Sequence, residues 1–87
     1  MDRSVQAYQR ALEIAPDDAE IHNNLGVTLK EMGQLDRSVQ SYQQALKINP
    51  QYAEAYNNLG NVLKDMEQLD ESLQAYQKAI CIPPQFV

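Results

Sequence analysis

Hydrophobic residues recur every three or four positions along most of the chain, so that they fall on one side of an α-helix. One such stripe holds Ile21, Leu25, Leu29 and Met32, and the next holds Leu35, Val39, Tyr42 and Leu46. The same two stripes return later, as Leu59, Leu63 and Met66 and then as Leu69, Leu73, Tyr76 and Ile80. Together with Val5, Tyr8 and Leu12 near the start, they predict five helices, over 2–14, 19–32, 36–48, 53–66 and 70–82.

The stripes return because the chain repeats itself with a period of 34 residues. Residues 17–50 and 51–84 are identical at 19 of 34 positions, and residues 2–16 and 36–50 at 11 of 15. We therefore divide a single domain, 1–87, into the second helix of an incomplete unit (2–16), two whole units (17–50 and 51–84) and a tail (85–87). A unit of two helices cannot bury its own apolar face, whereas stacked units can.

Turn residues separate the helices within each unit. Gly33 can adopt the left-handed conformation that ends a helix, and Asp36 is predicted to cap the helix that follows. Pro50 closes the unit, and Pro83 and Pro84 close the next, because proline cannot continue a helix interior. Glu67 replaces the glycine of the second turn, which costs on the order of 1 kcal/mol if that residue is left-handed. We expect this turn to be the looser one.

Composition and charge narrow the classes of function. The net charge of −5 disfavours nucleic acid as a partner, and no apolar run approaches the roughly 20 residues that span a membrane. The sequence has one cysteine, Cys81, and one histidine, His22, so we expect neither a disulfide framework nor a metal site. It offers no catalytic constellation or glycine-rich phosphate loop, and we predict a protein that is not an enzyme, needs no cofactor and resides in the cytoplasm.

The repeat resembles a known family. The period of 34, the "NNLG" of the first helix and the "SYQQALKINP" that ends the second are similar to the tetratricopeptide repeat, over residues 2–84. The resemblance implies an all-α solenoid of helix-turn-helix repeats, a right-handed superhelix of antiparallel helix pairs. Two departures stand out. His22 and Tyr56 stand where the family usually has a large aromatic residue, and Ser4, Ser38 and Ser72 stand where it usually has an alanine that allows close helix packing.

Asparagine is unusually frequent inside the predicted helices, although it forms helices less well than alanine by roughly 0.5 kcal/mol per residue. Such local disagreements often mark function. At 100° per residue, two narrow polar stripes lie beside the apolar ones. They are Glu20, Asn24, Val27 and Glu31 in one unit, and Glu54, Asn58, Asn61 and Asp65 in the next.

The family resemblance implies that the first helices line a concave surface on which extended peptides bind. The candidate peptide-binding residues are Asn24, Asn58, Asn61, Asn23, Asn57, Lys30, Lys64, Glu20 and Glu54. An asparagine amide both donates and accepts hydrogen bonds, so a ladder of amides could hold a peptide main chain. Some helical-repeat glycosyltransferases resemble this arrangement. The alternative is that these side chains bond to the neighbouring helix or to water.

The charges favour a neutral or basic extended peptide. Family members that clamp acidic peptide tails use lysine and arginine where this chain has Glu20, Asn23 and Asn24, and again Glu54, Asn57 and Asn58. Two glutamates there would repel an acidic tail. Lys30 and Lys64 leave some positive charge farther along each helix.

The alternative function is that of a self-associating structural module or of a fragment of a longer array. The helix at 2–14 lacks a preceding partner, and the helix at 70–82 is followed only by "PPQFV". Exposed apolar end helices favour association with another copy. Part of an enzyme whose catalytic region lies elsewhere remains a third class.

Overall fold

Each apolar stripe lies on an α-helix, and the connections between helices are three or four residues long. A computed structural model describes residues 3–82 and contains five helices over that range. They are α1 (Arg3–Ile14), α2 (Ala19–Glu31), α3 (Leu35–Ile48), α4 (Ala53–Asp65) and α5 (Leu69–Cys81). Each boundary agrees with the predicted one to within one residue, and the all-α fold is confirmed. The predictions for Pro83, Pro84 and the tail 85–87 lie outside the described residues.

The turn inside each unit follows the predicted left-handed geometry. Gly33 has a φ of 79°, and Glu67, at the matching position, has a φ of 62°. The start of α2 is fixed by a carboxylate, since Asp18 accepts hydrogen bonds from the backbone N–H of Glu20 at 3.0 Å and of Ile21 at 3.3 Å. Asp18 is thus the N-cap of α2, because its side chain accepts hydrogen bonds from backbone N–H groups of the first turn.

The prediction that Asp36 caps α3 is wrong. The helix begins one residue earlier, at Leu35, and the capping position belongs to Gln34, whose side chain makes no capping bond. Asp36 instead lies in the first turn of α3, where its negative charge interacts favourably with the positive end of the helix dipole.

The helices pack as successive antiparallel neighbours, as short connections require. α2 packs on α3, α4 on α5, α3 on α4 and α1 on α2. α2 also approaches α4, whereas no Cα of α3 lies within 8 Å of a Cα of α5. The molecule measures 34 × 33 × 18 Å, and its smallest dimension corresponds to two layers of helices.

The core is centred where α3 meets α4. Tyr42, Ala45, Ala55 and Val62 are almost completely inaccessible to solvent there, and Leu29 joins them from α2. Met32 was predicted to lie on the core face but is 39% exposed, because it lies past the last turn of α2. Of the serines that replace alanine, Ser38 and Ser72 are buried, whereas Ser4 on α1 is exposed.

Among residues 3–82, the two end helices are covered on one side only. No described residue of α1 is fully buried, and its predicted core face of Val5, Tyr8 and Leu12 is half-buried. On α5, Leu69, Leu73 and Ile80 are 64%, 57% and 82% exposed. The apolar stripe of α5 therefore faces solvent over much of its length.

Candidate functional site

The asparagines predicted to form one ladder have different surroundings. Asn23 is only 1% exposed, and its Oδ1 accepts a hydrogen bond from Nδ2 of Asn58 at 3.1 Å. This bond joins α2 to α4, which is the alternative that the sequence left open. The structure thus excludes Asn23 from any accessible binding surface in this conformation and makes Asn58 part of the packing between units.

A small cleft lies between α2 and α4, with a volume of about 180 Å³. We call the surface around it the α2–α4 surface. The cleft is lined by Val27, Lys30 and Glu31 from α2, by Asn58 and Asn61 from α4, and by Tyr42 from α3. Lys30 Nζ lies 3.6 Å from Asp65 Oδ2, so the two helices are also joined by an ion pair. Exposed pairs of this kind contribute at most about 1 kcal/mol.

Asn24 and Asn61 contribute to this surface in different ways. Asn24 is half-buried one turn before Val27, and its amide bonds to no other residue in 3–82. Asn61 accepts a hydrogen bond from the Tyr76 hydroxyl, which joins α4 to α5. The Asn24 amide therefore has unused donors and an unused acceptor.

Asn57 and Glu54 contribute to a second depression. They line a shallow hollow of about 450 Å³ with Tyr76, Ala79 and Ile80, next to the exposed stripe of α5. Neither of the two lines the cleft between α2 and α4.

Carboxylates surround the beginning of α4. Burial raises the pKa of Tyr52, and the nearby Glu54 and Glu20 raise it further because a tyrosinate would be repelled by their charge. Glu20 itself lines a shallow depression beside Tyr52. Lys64, at the other end of α4, is exposed and has no ion pair within residues 3–82. Glu20 and Glu54 thus stand where α2 and α4 begin, and Lys30 and Lys64 stand in the last turns of these helices.

Tyr42 was predicted as a packing residue, and its place beneath the cleft could not be read from the helix period. Burial raises the pKa of Tyr42 to about 12. Its hydroxyl is therefore neutral near pH 7 and acts as a hydrogen-bonding group only. The ion pair between Lys30 and Asp65 was also not predicted from the sequence. The signal for it was present, since opposite charges stand at nearly the same position in successive units.

His22 is a packed residue. Its Nε2 donates to the carbonyl oxygen of Pro16 at 3.0 Å, and the ring is half-buried. Within residues 3–82, no three side chains of histidine, cysteine, aspartate or glutamate come close enough together to hold a metal ion. The α2–α4 surface therefore has amide groups that can form hydrogen bonds, a few charged side chains and a small apolar area. These features are suited to binding another molecule by non-covalent contacts.

The helices of the described region are all too short and too polar to cross a bilayer.

Solved structures with the same fold are numerous, and 123 chains match. A crystal structure of MamA is 26% identical, with a TM-score of 0.84, and the match covers 87% of this chain and 44% of that one. A second MamA structure, also 26% identical with a TM-score of 0.83, is covered over 42% of its length. The chain thus spans less than half the length of these two proteins.

The second TPR of Spaghetti (RPAP3), bound to the HSP90 peptide SRMEEVD, has a TM-score of 0.88. It is 16% identical, and the match covers 93% of this chain and 75% of that one, so this likeness concerns the fold alone. A search of curated protein sequences finds no match.

Family models match nearly the whole chain. A model described as TPR repeat matches residues 1–33 and 28–67, and one described as tetratricopeptide repeat matches residues 53–86. The period, the helix pairs and these matches agree: the chain belongs to the tetratricopeptide repeat family, a family of protein-interaction modules.

Proposed function

We propose that this protein is a non-catalytic scaffold that binds an extended peptide on the α2–α4 surface. The observation that carries the proposal is the free amide of Asn24, which is half-buried one helical turn before Val27 of the cleft. An amide with unused donors and acceptor can bond a peptide main chain at either its N–H or its carbonyl group. The peptide bound by the RPAP3 repeat supports the mode of binding in general terms.

The partner should be neutral or basic. Glu20 and Glu54 lie around Tyr52 at one end of the surface, and Glu31 lines the cleft itself. Lys30 is already paired with Asp65, so of the two candidate lysines only Lys64 has no ion pair in residues 3–82. An acidic peptide would therefore meet net repulsion, which mainly lowers the rate of association.

The charge preference is tested with two peptides, SRMEEVD and a charge-reversed version, SRMKKVK. We expect the lysine peptide to bind more tightly in fluorescence anisotropy, and the order to invert in a Glu20→Lys, Glu54→Lys variant. A Glu13→Lys, Glu67→Lys variant changes the net charge equally at sites away from this surface and should keep the original order. Tighter binding of SRMEEVD to the unmodified protein would refute the preference.

The role of the asparagine amide is tested with Asn24→Ala, with Gln77→Ala on the exposed side of α5 as the matched control. We expect Asn24→Ala to weaken binding of SRMKKVK several-fold, since one neutral hydrogen bond contributes about 1 kcal/mol. Asn58→Ala is less informative because it removes the hydrogen bond that joins the buried Asn23 to α4, and so also changes the packing between the units. Equal affinity of the Asn24 and Gln77 variants would remove Asn24 from the binding site.

Self-association through the end helices is the second candidate, favoured by the exposure of Leu69, Leu73 and Ile80 on α5. Light scattering from micromolar to millimolar protein should then give a mass that rises with concentration, and Leu73→Glu should return it to the monomer. A monomer mass over the whole range would rule out association through this face.

A further inference from the structure

A second, larger groove lies on the other side of α4, facing away from the α2–α4 surface. It exists because α3 and α5 stay apart, with no pair of their Cα atoms within 8 Å, so α4 is left open between them. We call it the outer groove; its volume is about 710 Å³. Its floor is one face of α4, formed by Tyr56, Leu59, Leu63 and Met66.

The walls of the outer groove carry uncharged amides. Gln40 and Gln43 stand on the α3 side and Gln74 on the α5 side, and all three side chains are exposed. None of them bonds to another residue in 3–82. Glutamine amides above an apolar floor can bond to a main chain while the floor accepts apolar side chains.

The two ends of the outer groove differ in charge. Asp36 and Glu71 lie in the first turns of α3 and α5, which run in the same direction, so both carboxylates stand at the end marked by Met66. Neither carboxylate forms an ion pair within the described residues. At the opposite end, Lys78 Nζ lies 5.8 Å from the centre of the Tyr56 ring, a cation–π distance.

We propose that the outer groove binds an extended peptide with apolar side chains at alternate positions and a basic residue at the end that faces Asp36 and Glu71. From Tyr56 to Met66 the floor runs about 15 Å along α4, since a helix rises 1.5 Å per residue. An extended chain of about five residues has this length, and its alternate side chains point to the same side. Asp36 and Glu71 favour a basic residue in the ligand, because each can form an ion pair with it without breaking an ion pair already present.

The chain contains an internal comparison one repeat earlier. There Leu12, His22, Leu25 and Leu29 belong to a groove of about 330 Å³, less than half as large. Its wall has Arg37 at the place of Glu71, and His22 replaces Tyr56 on its floor. The acidic end is therefore a property of the second unit, and the smaller groove would repel the same basic residue.

The probe is the acetylated peptide RLSLSL, with ELSLSL as its matched control, followed by backbone amide NMR of the unmodified protein. We expect RLSLSL to shift amides of Gln40, Leu59 and Gln74, and to bind about tenfold more tightly than ELSLSL, as two exposed carboxylates would allow. An Asp36→Lys, Glu71→Lys variant should reverse that order. A Glu13→Lys, Asp17→Lys variant, with the same change in net charge, should not.

Shifts confined to Asn24, Val27 and Asn61 would overturn the proposal, because RLSLSL would then occupy the α2–α4 surface. The absence of shifts at about millimolar peptide would overturn it as well. Circular dichroism of each variant separates loss of binding from loss of fold. The outcome is independent of the peptide site proposed above: Asn24→Ala should leave the shifts at Gln40 and Gln74 unchanged.

Discussion

At the scale of single residues, the contact between a glycine and a tyrosine ring sets how closely the two helices of a unit approach. A Cβ on Gly26 would lie 2.6 Å from Cε1 of Tyr42, and one on Gly60 would lie 2.7 Å from Cε1 of Tyr76. A serine hydroxyl from the second helix donates to the carbonyl of each glycine, Ser38 to Gly26 at 2.6 Å and Ser72 to Gly60 at 2.7 Å. The serines thus add a hydrogen bond that alanine could not make.

Gly26→Ala should therefore destabilise the protein more than Gly60→Ala. Tyr42 is almost completely buried and cannot move away, whereas Tyr76 is half-buried at the end of the array. Overpacking lowers the free energy of unfolding by about 1–3 kcal/mol, whereas the higher helix propensity of alanine compared with glycine raises it by about 1 kcal/mol. We expect a net loss of about 1–2 kcal/mol at Gly26 and a change near zero at Gly60, measured by urea unfolding. Equal losses would show that the Tyr42 ring is no more confined than that of Tyr76.

The buried hydroxyl of Tyr42 makes stability depend on pH in the alkaline range. Its pKa is raised by burial from 10.0 to about 12. The folded protein holds this proton more tightly than the unfolded chain does, so the contribution is complete below pH 10 and is lost as the pH rises toward 12. We expect unfolding free energy to fall by up to about 2 kcal/mol over that interval. In Tyr42→Phe the decline should be smaller, and an unchanged decline would assign it to other groups.

At the scale of elements, the two inter-helix turns are built alike from unlike residues. Gly33 and Glu67 each donate to a carbonyl three residues back, Lys30 and Lys64, at 2.9 and 3.0 Å. The left-handed φ is favourable for glycine and strained for glutamate. The packing of the helices on either side thus imposes the geometry of the turn. Glu67 adopts the left-handed conformation although it is strained for glutamate.

Glu67→Gly should stabilise the protein. Removing the left-handed strain stabilises the folded state by about 1 kcal/mol. Part of this gain is offset because glycine makes the unfolded chain more flexible and so raises its entropy. For a domain of this size, that corresponds to an increase in Tm of several degrees, about 4–8 °C for each kcal/mol. The matched change, Gly33→Ala, should lower Tm by a similar amount. A lower Tm for Glu67→Gly would mean that the glutamate side chain contributes a contact that outweighs the strain.

At the scale of the whole molecule, protection from solvent falls from the centre to the ends. Within the described part of the chain, α3 and α4 each pack against helices on two sides, whereas α1 and α5 each contact one neighbouring helix. Local opening follows the number of buried apolar contacts, so the terminal helices should open with a smaller free energy than the middle ones.

Hydrogen exchange of the monomer should therefore proceed fastest in α1, slowest in α3 and α4, and at an intermediate rate in α5. The order follows from α1 having no fully buried residue, while α5 buries Ser72 and Ala75. Exchange is measured by mass spectrometry at low and high protein concentration. If α1 is as protected as α3 at low concentration, the packing observed here does not limit its opening; protection of α5 that grows with concentration would support self-association.

The sequence by itself determined the period, the five helices, the left-handed turns and the family, because each depends on residues close together in the chain. It also indicated that asparagines and acidic residues stand beside the apolar stripes. The tertiary structure decided which of these side chains are accessible. Asn23 and Asn24 are adjacent in sequence, yet Asn23 bonds to Asn58 in the core and Asn24 remains partly exposed. A helical period defines the faces of a helix; which face is covered depends on where the next unit lies. The outer groove has the same origin, since the distance between α3 and α5 is set by the packing of both helices on α4.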